Sequence, residues 1–196
     1  MTVGRPLTYN RDAVLERAMQ LFWDSGYEAT SMRDLVAVMD LSRSSFYQGF
    51  GGKRDLFVSC LERYEQQTSE MLWEQLAGAE SARGFIHDTL SWATAESAAG
   101  TGPRGCLVMN TATEFAQRDP AIATVVTRGL DEYRAIFEAA VQRGQEEGSI
   151  RTDRSAAAQA NYLVTTMSGL RTMVKAGTNV TALTEMVTVA MDAVTN

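Results

Sequence analysis

The chain has 196 residues and a mass of 21.5 kDa, which is enough for one large domain or two small ones. Hydrophobic residues make up 45% and charged residues 21%, a balance that excludes a disordered chain. The net charge of -6 excludes nucleic-acid binding through overall charge, so any DNA-binding surface has to be local.

The cysteine and histidine content excludes further classes of protein. Two Cys residues cannot form a disulfide framework and fit a reducing cytoplasm, and with the single His87 they cannot complete a four-ligand zinc site. No apolar run approaches the length of a bilayer span, and residues 1–10 lack the apolar stretch of a signal peptide. The sequence therefore predicts a cytoplasmic protein without a metal, a cofactor or a membrane partner.

Charge is distributed unequally along the chain. Residues 1–55 carry seven basic and seven acidic side chains, so the other 141 residues carry the whole net charge of -6. The first segment is therefore the place where a polyanion can bind. We accordingly divide the chain into a candidate DNA-binding domain, residues 1–55, and a second domain, residues 56–196.

Apolar residues at helical spacing predict three short helices in the first domain. The third is very short, Arg43 to Gln48, and follows a break at residues 39–41. A longer helix is predicted to start near Lys53. The predicted caps, in chain order, are Asn10 and Gly26 for the first helix, Thr30 or Ser31 for the second, and Ser42 for the third.

The second domain keeps the helical period throughout and shows no sustained period-two alternation. Asp119-Pro120 is predicted to break the helix that ends near Gln117, and Gly148 to end the long helix that follows. Further helices are predicted near 82–99, from about Gly105 to Gln117, from Ile122 to Glu147, over 154–176 and around 183–194. The predicted fold class is therefore all-α.

Two short helices joined by a three-residue turn form a helix-turn-helix unit, whose second helix enters the major groove in DNA-binding versions. The third predicted helix has no acidic residue, and its Arg43 can bond a guanine edge and its Gln48 an adenine. Short side chains that permit close approach and polar groups that can reach phosphates complete the surface: Ser44, Ser45, Tyr47 and Lys53. A plain helical hairpin with a solvated Ser/Arg face fits the same spacing, and spacing alone leaves both open.

A series of motifs runs through the first third of the chain in fixed order and spacing. They are Gly4-Arg5-Pro6, Ala18-x-x-Leu21-Phe22-x-x-x-Gly26-Tyr27, Thr30-Ser31-Met32-x-x-Leu35 and Ser42-x-x-Ser45-Phe46-Tyr47-x-x-Phe50-Gly51-x-Lys53-x-x-Leu56-Phe57. This series closely resembles the signature of the TetR/AcrR family of bacterial transcriptional regulators. The resemblance implies DNA contacts at Ser31, Arg33, Arg43, Ser44, Ser45, Tyr47 and Lys53, and Arg5 resembles the basic N-terminal arm of some members.

The same resemblance implies a helical C-terminal ligand domain and a homodimer through the last two helices. Small residues beside Leu, Met and Val in this region favour close helix approach and so independently indicate a dimer: Ala156, Ala157, Ala158, Ala160, Ser168 and Gly169. Burial of this stripe within the monomer is the alternative.

A ligand pocket is expected among the middle helices. Its candidate lining residues, any one of which can be ordinary core, are Phe85, Trp92, Met109, Phe115, Tyr133, Phe137, Tyr162 and Met167. As a set they indicate an apolar or aromatic effector.

Cys106 lies at the predicted first turn of a helix, beside Arg104, and both a helix N-terminus and a nearby cation favour a thiolate. The motif Gly105-Cys106-Leu107 resembles that of a subgroup of the family, in which the cysteine at this place senses oxidants or electrophiles. Lys175 is at the place of a lysine that approaches the cysteine in that subgroup. The alternative is a small buried Cys that fills a helix junction.

These observations predict a ligand-responsive repressor whose homodimer binds a palindromic operator, with Arg43 to Gln48 of each subunit in a major groove. An effector, or modification of Cys106, shifts the dimer to a state that binds DNA less well. The rival is a helical small-molecule-binding protein without a DNA function. An enzyme is disfavoured, because the sequence shows no phosphate-binding glycine loop after a strand and no nucleophile beside a base.

Overall fold

The computed structural model describes residues 9–95, 104–115 and 118–196. Within these ranges the chain is helical, and its only β pairing is an isolated antiparallel bridge between Ile150 and Thr195. The all-α prediction is confirmed. The helices are α1 (Arg11–Ser25), α2 (Met32–Met39), α3 (Arg43–Phe50), α4 (Lys53–Gly78), α5 (Ala82–Ala95), α6 (Leu107–Phe115), α7 (Pro120–Glu146), α8 (Ala156–Lys175) and α9 (Val180–Asp192).

The helices form two compact units, Met1–Tyr64 and Glu65–Asn196, and α4 contributes residues to both. In the first unit the helices begin where the sequence predicts. The Asn10 side chain accepts hydrogen bonds from two backbone N–H groups of α1, and the Ser42 side chain accepts one from Ser45. Ser31 rather than Thr30 caps α2, and its hydrogen bonds lower the pKa of the Asp34 carboxyl. The first N–H groups of a helix have no partner within the helix, and a polar side chain at the cap position is close enough to bond them. Such caps can therefore be predicted from neighbouring residues.

The core of the first unit is aromatic. The Phe57 ring of α4 lies 4.9 Å from both the Phe22 and the Tyr27 rings, measured between centroids. Cys60 lies one turn further along α4, where its thiol donates to the Leu15 carbonyl and burial raises its pKa to about 12. The thiol of Cys60 therefore stays protonated and belongs to the core.

The second unit is built around α7 and α8, whose apolar faces pack on each other and on α5. Tyr133 and Phe137 of α7 are almost wholly buried, as are Leu163 and Val174 of α8. Such complete burial of large side chains is the main favourable term in folding this unit. Among the described residues, no helix is both long and apolar enough to span a membrane.

A network around Arg143 holds the connection between α4 and α5. Its guanidinium donates to the carbonyl oxygens of Leu76 and Ala79, at 3.0 and 2.8 Å, and to the Glu147 carboxylate at 2.7 Å. Glu147 in turn accepts a hydrogen bond from the Ala82 backbone, which is the largest cause that lowers the pKa of its carboxyl. Charge-assisted hydrogen bonds of this kind fix a turn that has little apolar surface of its own.

Some predicted helix ends differ from those observed. Asp119-Pro120 starts α7, because the Asp119 side chain accepts hydrogen bonds from the first turn and Pro at the first helical position needs no N–H partner. The helix predicted from Gly105 begins at Leu107, so that Cys106 precedes it. The described part of α5 ends at Ala95, and residues 96–99 of that prediction lie outside the described residues.

Candidate functional site

The eight residues of α3 divide into a buried and an exposed face. Phe46 and Phe50 are buried in the first unit. Arg43, Ser44, Tyr47 and Gln48 are exposed, and Tyr47 has 54% of its surface accessible. The spacing of the two sets follows the helical period, so that one apolar face anchors α3 and one polar face is available to a partner.

The exposed face of α3 has the chemistry of a nucleic-acid reader. It presents a guanidinium, an amide, a phenol and a hydroxyl, with no acidic residue anywhere in the helix. Ser45 is half-buried, and its hydroxyl lies 2.9 Å from that of the capping Ser42. Ser45 therefore contributes to the start of α3, while Arg43 and Gln48 are exposed on its surface.

Two of the other DNA-contact candidates have structural roles of their own. The Ser31 hydroxyl is part of the capping box of α2, although the residue is exposed. The Lys53 ammonium lies 4.3 Å from the centroid of the Tyr27 ring, which holds it at the first residue of α4. Arg33 is exposed on α2 beside Asp34, and Arg5 lies outside the described residues.

Two residues that were not predicted from the sequence contact the end of α3. The Arg11 guanidinium donates to the carbonyl oxygen of Gly49 at 3.2 Å, and the Tyr9 ring stacks on Phe50. Both residues come from the stretch just before and at the start of α1. No sequence pattern links them to α3, because the contact spans about 40 residues.

The eight ligand candidates lie in different environments in the described part of the chain. Four lie in the core, namely Phe115, Tyr133, Phe137 and Met167, and Met109 is half-buried. Tyr162 lies on the exposed side of α8, with 40% of its surface accessible. Phe85 and Trp92 alone among them line a described cavity of about 450 Å³ between the end of α4 and α5.

This cavity has an apolar wall and a polar rim. The remaining lining residues are Gln75, Gly78, Ala79, Asp88 and Thr89. The Arg171 guanidinium lies 4.3 Å from the Trp92 ring centroid, and the buried Thr89 hydroxyl has no hydrogen-bond partner within the described ranges. The predicted pocket residues are all aromatic or Met and therefore leave out Asp88 and Thr89, although both lie one turn from Phe85 and Trp92.

Cys106 is a free thiol with 5% of its surface accessible, at the entry to α6. Gly105 has a φ of 69° and packs against the end of α8, since a Cβ there would lie 3.4 Å from the Arg171 carbonyl oxygen and 3.7 Å from Lys175 Cβ. The structure therefore brings the backbone beside Cys106 against Lys175. The part of the chain that is described contains no cluster of three or more His, Cys, Asp or Glu side chains suited to a metal ion.

The last two helices expose apolar side chains. Met173 of α8 and Val180, Met186 and Val189 of α9 are exposed, and Val189 has 66% of its surface accessible. Ala160 is buried within the unit, whereas Gly169 is exposed. Exposed apolar side chains grouped on adjacent helices are typical of protein interfaces.

Comparison with known proteins extends these observations over most of the chain. Residues 14–60 match the family model described as "Bacterial regulatory proteins, tetR family", and residues 78–190 match "Tetracyclin repressor-like, C-terminal domain". The chain is 29% identical to the HTH-type transcriptional repressor ComR of Escherichia coli, over 93% of this chain and 88% of ComR. It is 28% identical to the uncharacterized HTH-type transcriptional regulator YezE of Bacillus subtilis, over 82% of this chain and 84% of YezE.

A solved structure agrees with the family models. A cysteine mutant of the TetR family transcriptional regulator CifR, complexed with a 26-base-pair double-strand operator DNA, is 30% identical and superposes with a TM-score of 0.82. The match covers 96% of this chain and 99% of that one. The chain therefore belongs to the TetR family of bacterial regulatory proteins and is a DNA-binding transcriptional regulator.

Proposed function

We propose that this protein is a cytoplasmic homodimeric repressor that leaves its operator when a small apolar or aromatic effector binds. Residues 1–55 bind the DNA, and residues 56–196 bind the effector and form the dimer. The observation that carries the proposal is the exposed, acid-free face of α3 above its buried Phe46 and Phe50. The protein acts by binding and not by catalysis.

The DNA contacts divide by their chemistry. Arg43 and Gln48 read base edges in the major groove, because a guanidinium pairs with guanine and an amide with adenine. Ser44 allows close approach, and Tyr47 binds a phosphate. The other proposed contacts to the DNA backbone and its surroundings are Arg5, Ser31, Arg33, Ser45 and Lys53.

The proposed dimer uses the exposed apolar side chains of α8 and α9. Residues 155–192 contain few charged side chains, and the apolar Met173, Met186 and Val189 lie on the surface. Association of two such faces removes this apolar area from water. A two-fold dimer would bind two half-sites about one helical turn of DNA apart, or slightly more.

We predict that the wild-type chain enriches palindromic duplexes from a random double-stranded DNA library. The two-fold axis of the dimer has to coincide with that of the operator, so the half-sites should be inverted repeats. Repeated rounds of selection followed by sequencing measure the enrichment of inverted repeats. The consensus sequence defines the selected duplex. Enrichment of single, unpaired half-sites would contradict the proposed dimer, and no enrichment at all would contradict sequence-specific binding.

The effector site is proposed in the cavity lined by Phe85 and Trp92. The two aromatic side chains suit a flat apolar molecule, and the Thr89 hydroxyl suits one with a single hydrogen-bonding group. An effector releases DNA only if it binds the released state more tightly than the DNA-bound state. We propose that α4 transmits the change, since its residues belong to both units.

A second candidate is a repressor switched by modification of Cys106, as in the subgroup of the family with the Gly-Cys-Leu motif. The contact of Gly105 with the Lys175 end of α8 supports it, because modification of Cys106 would disturb that contact. The limited accessibility of the thiol means that a small oxidant or a slender electrophile would have to reach it.

Replacing Cys106 by Ser tests this second candidate. If Cys106 is the sensor, hypochlorite or an enone should release the selected duplex from the wild-type protein and leave the Cys106→Ser variant bound, because a hydroxyl is not a comparable nucleophile. Gel mobility shift with increasing reagent measures the difference. Cys60→Ser is the matched control and should still release DNA. Equal release from the Cys106→Ser variant would exclude the thiol mechanism.

A further inference from the structure

Tyr9 occupies the space that a side chain at position 49 would need. A Cβ atom on Gly49, in the last turn of α3, would lie under 3.0 Å from the Tyr9 hydroxyl oxygen and 3.5 Å from Cζ of the same ring. The hydroxyl is buried, and no described residue forms a hydrogen bond with it. A buried hydroxyl without a hydrogen-bond partner does not stabilise the fold. The position of the Tyr9 side chain is therefore explained by the shape of the gap over Gly49 and not by hydrogen bonding.

The contacts of Tyr9 and Arg11 converge on Phe50. The Tyr9 and Phe50 rings stack with centroids 6.3 Å apart and planes inclined by 28°. The Arg11 guanidinium lies 5.0 Å from the centroid of the same Phe50 ring and also donates to the Gly49 carbonyl oxygen. The start of α1 therefore holds both a side chain and a backbone group of the last turn of α3.

The last turn of α3 depends on such external contacts. A helix of eight residues is not stable by itself in water, and Gly is a poor helix former. The middle of α3 is anchored by the fully buried Phe46, whereas its end is anchored by Phe50. Tyr47 and Gln48 directly precede Gly49, so a displacement of this turn would move two proposed DNA contacts.

We propose that Tyr9 is a positioning residue for DNA binding, which fills the gap over Gly49 and fixes the last turn of α3 against the start of α1. This inference rests on the proposed DNA contacts of α3. It requires that positions 9 and 49 are coupled: a methyl group at position 49 displaces the Tyr9 ring from this gap unless the hydroxyl at position 9 is removed.

The test compares four full-length proteins: wild type, Tyr9→Phe, Gly49→Ala and the double variant Tyr9→Phe/Gly49→Ala. Affinity is measured for the selected duplex and for a shuffled duplex, at a temperature well below the lowest unfolding midpoint seen by circular dichroism. Tyr9→Phe should bind the selected duplex within about twofold of wild type, because the lost hydroxyl has no partner. Gly49→Ala should bind it about tenfold more weakly, with little change on the shuffled duplex.

The double variant should regain affinity to within about threefold of wild type, since the new methyl group then meets the ring at an ordinary contact distance. The recovery shows that the two positions are coupled, and the selectivity between the two duplexes would not follow if Tyr9 only stabilised the fold. Wild-type affinity of Gly49→Ala, a tenfold loss in Tyr9→Phe alone, or a double variant no better than Gly49→Ala would each overturn the role of Tyr9. Undiminished binding by the Arg43→Ala/Tyr47→Phe variant would instead overturn the proposed contacts of α3 and this inference with them.

Discussion

The double variant Arg43→Ala/Tyr47→Phe is expected to bind the selected duplex about 100-fold more weakly than wild type. A bidentate contact with a base contributes about 1–3 kcal/mol, and a hydrogen bond to a charged phosphate a similar amount. Each 1.4 kcal/mol corresponds to about tenfold in affinity. Fluorescence anisotropy with a labelled selected duplex measures the change directly.

Both substitutions leave the fold in place. Arg43 and Tyr47 are exposed, and Phe at position 47 keeps the edge-on ring contact with Phe46 at 5.4 Å. Surface substitutions of this kind change stability by only about 0.5 kcal/mol. Arg83→Ala is the matched control, because it removes one positive charge from an exposed position on α5 in the second unit. Undiminished affinity in the double variant would exclude α3 as the reading helix.

Replacing Val189 by Glu is expected to dissociate the dimer. Val189 is the most exposed of the large apolar side chains among the described residues, and the proposed interface would bury it. A carboxylate buried there without a partner costs several kcal/mol. Since bivalent attachment increases apparent affinity by about 100-fold or more, the monomer should lose at least that factor on the palindromic selected duplex.

The Val189→Glu variant should sediment as a monomer and, at the same time, lose affinity for the selected duplex. Ala77→Glu is the control, because it adds the same charge at an exposed position on α4. It should remain dimeric and bind normally. A Val189→Glu protein that sediments as a dimer would place the interface elsewhere than on the exposed face of α8 and α9.

The features that the sequence predicts correctly depend mainly on contacts between residues that are close in the chain. The caps at Asn10 and Ser42 were predictable because a polar side chain needs only its own neighbours to bond the first N–H groups of a helix. The two faces of α3 follow from the same local periodicity, with Phe46 buried and Tyr47 exposed. The predicted break at Asp119-Pro120 does separate the described α6 from α7, but α7 begins two residues before the predicted Ile122, because Asp119 caps its first turn and Pro120 needs no N–H partner.

The ligand candidates depended on packing between distant helices. Phe85 and Tyr133 are both aromatic residues at helical spacing, yet only Phe85 lines the described cavity, while Tyr133 lies in the core. Tyr162 has the same sequence character and is exposed on α8. Helical periodicity identifies an apolar face but not which part of it another helix covers.

By itself the amino-acid sequence determined the helical class, the caps at Asn10 and Ser42 and a third helix without acidic residues, because each of these depends on residues a few positions apart. Only the tertiary structure decided that Phe85 and Trp92 flank a cavity, that Gly105 packs against Lys175, and that Tyr9 fills the space above Gly49. The cavity depends on how the end of α4 packs on α5, and the other two contacts join residues far apart in the chain, so all three are set by how whole helices pack.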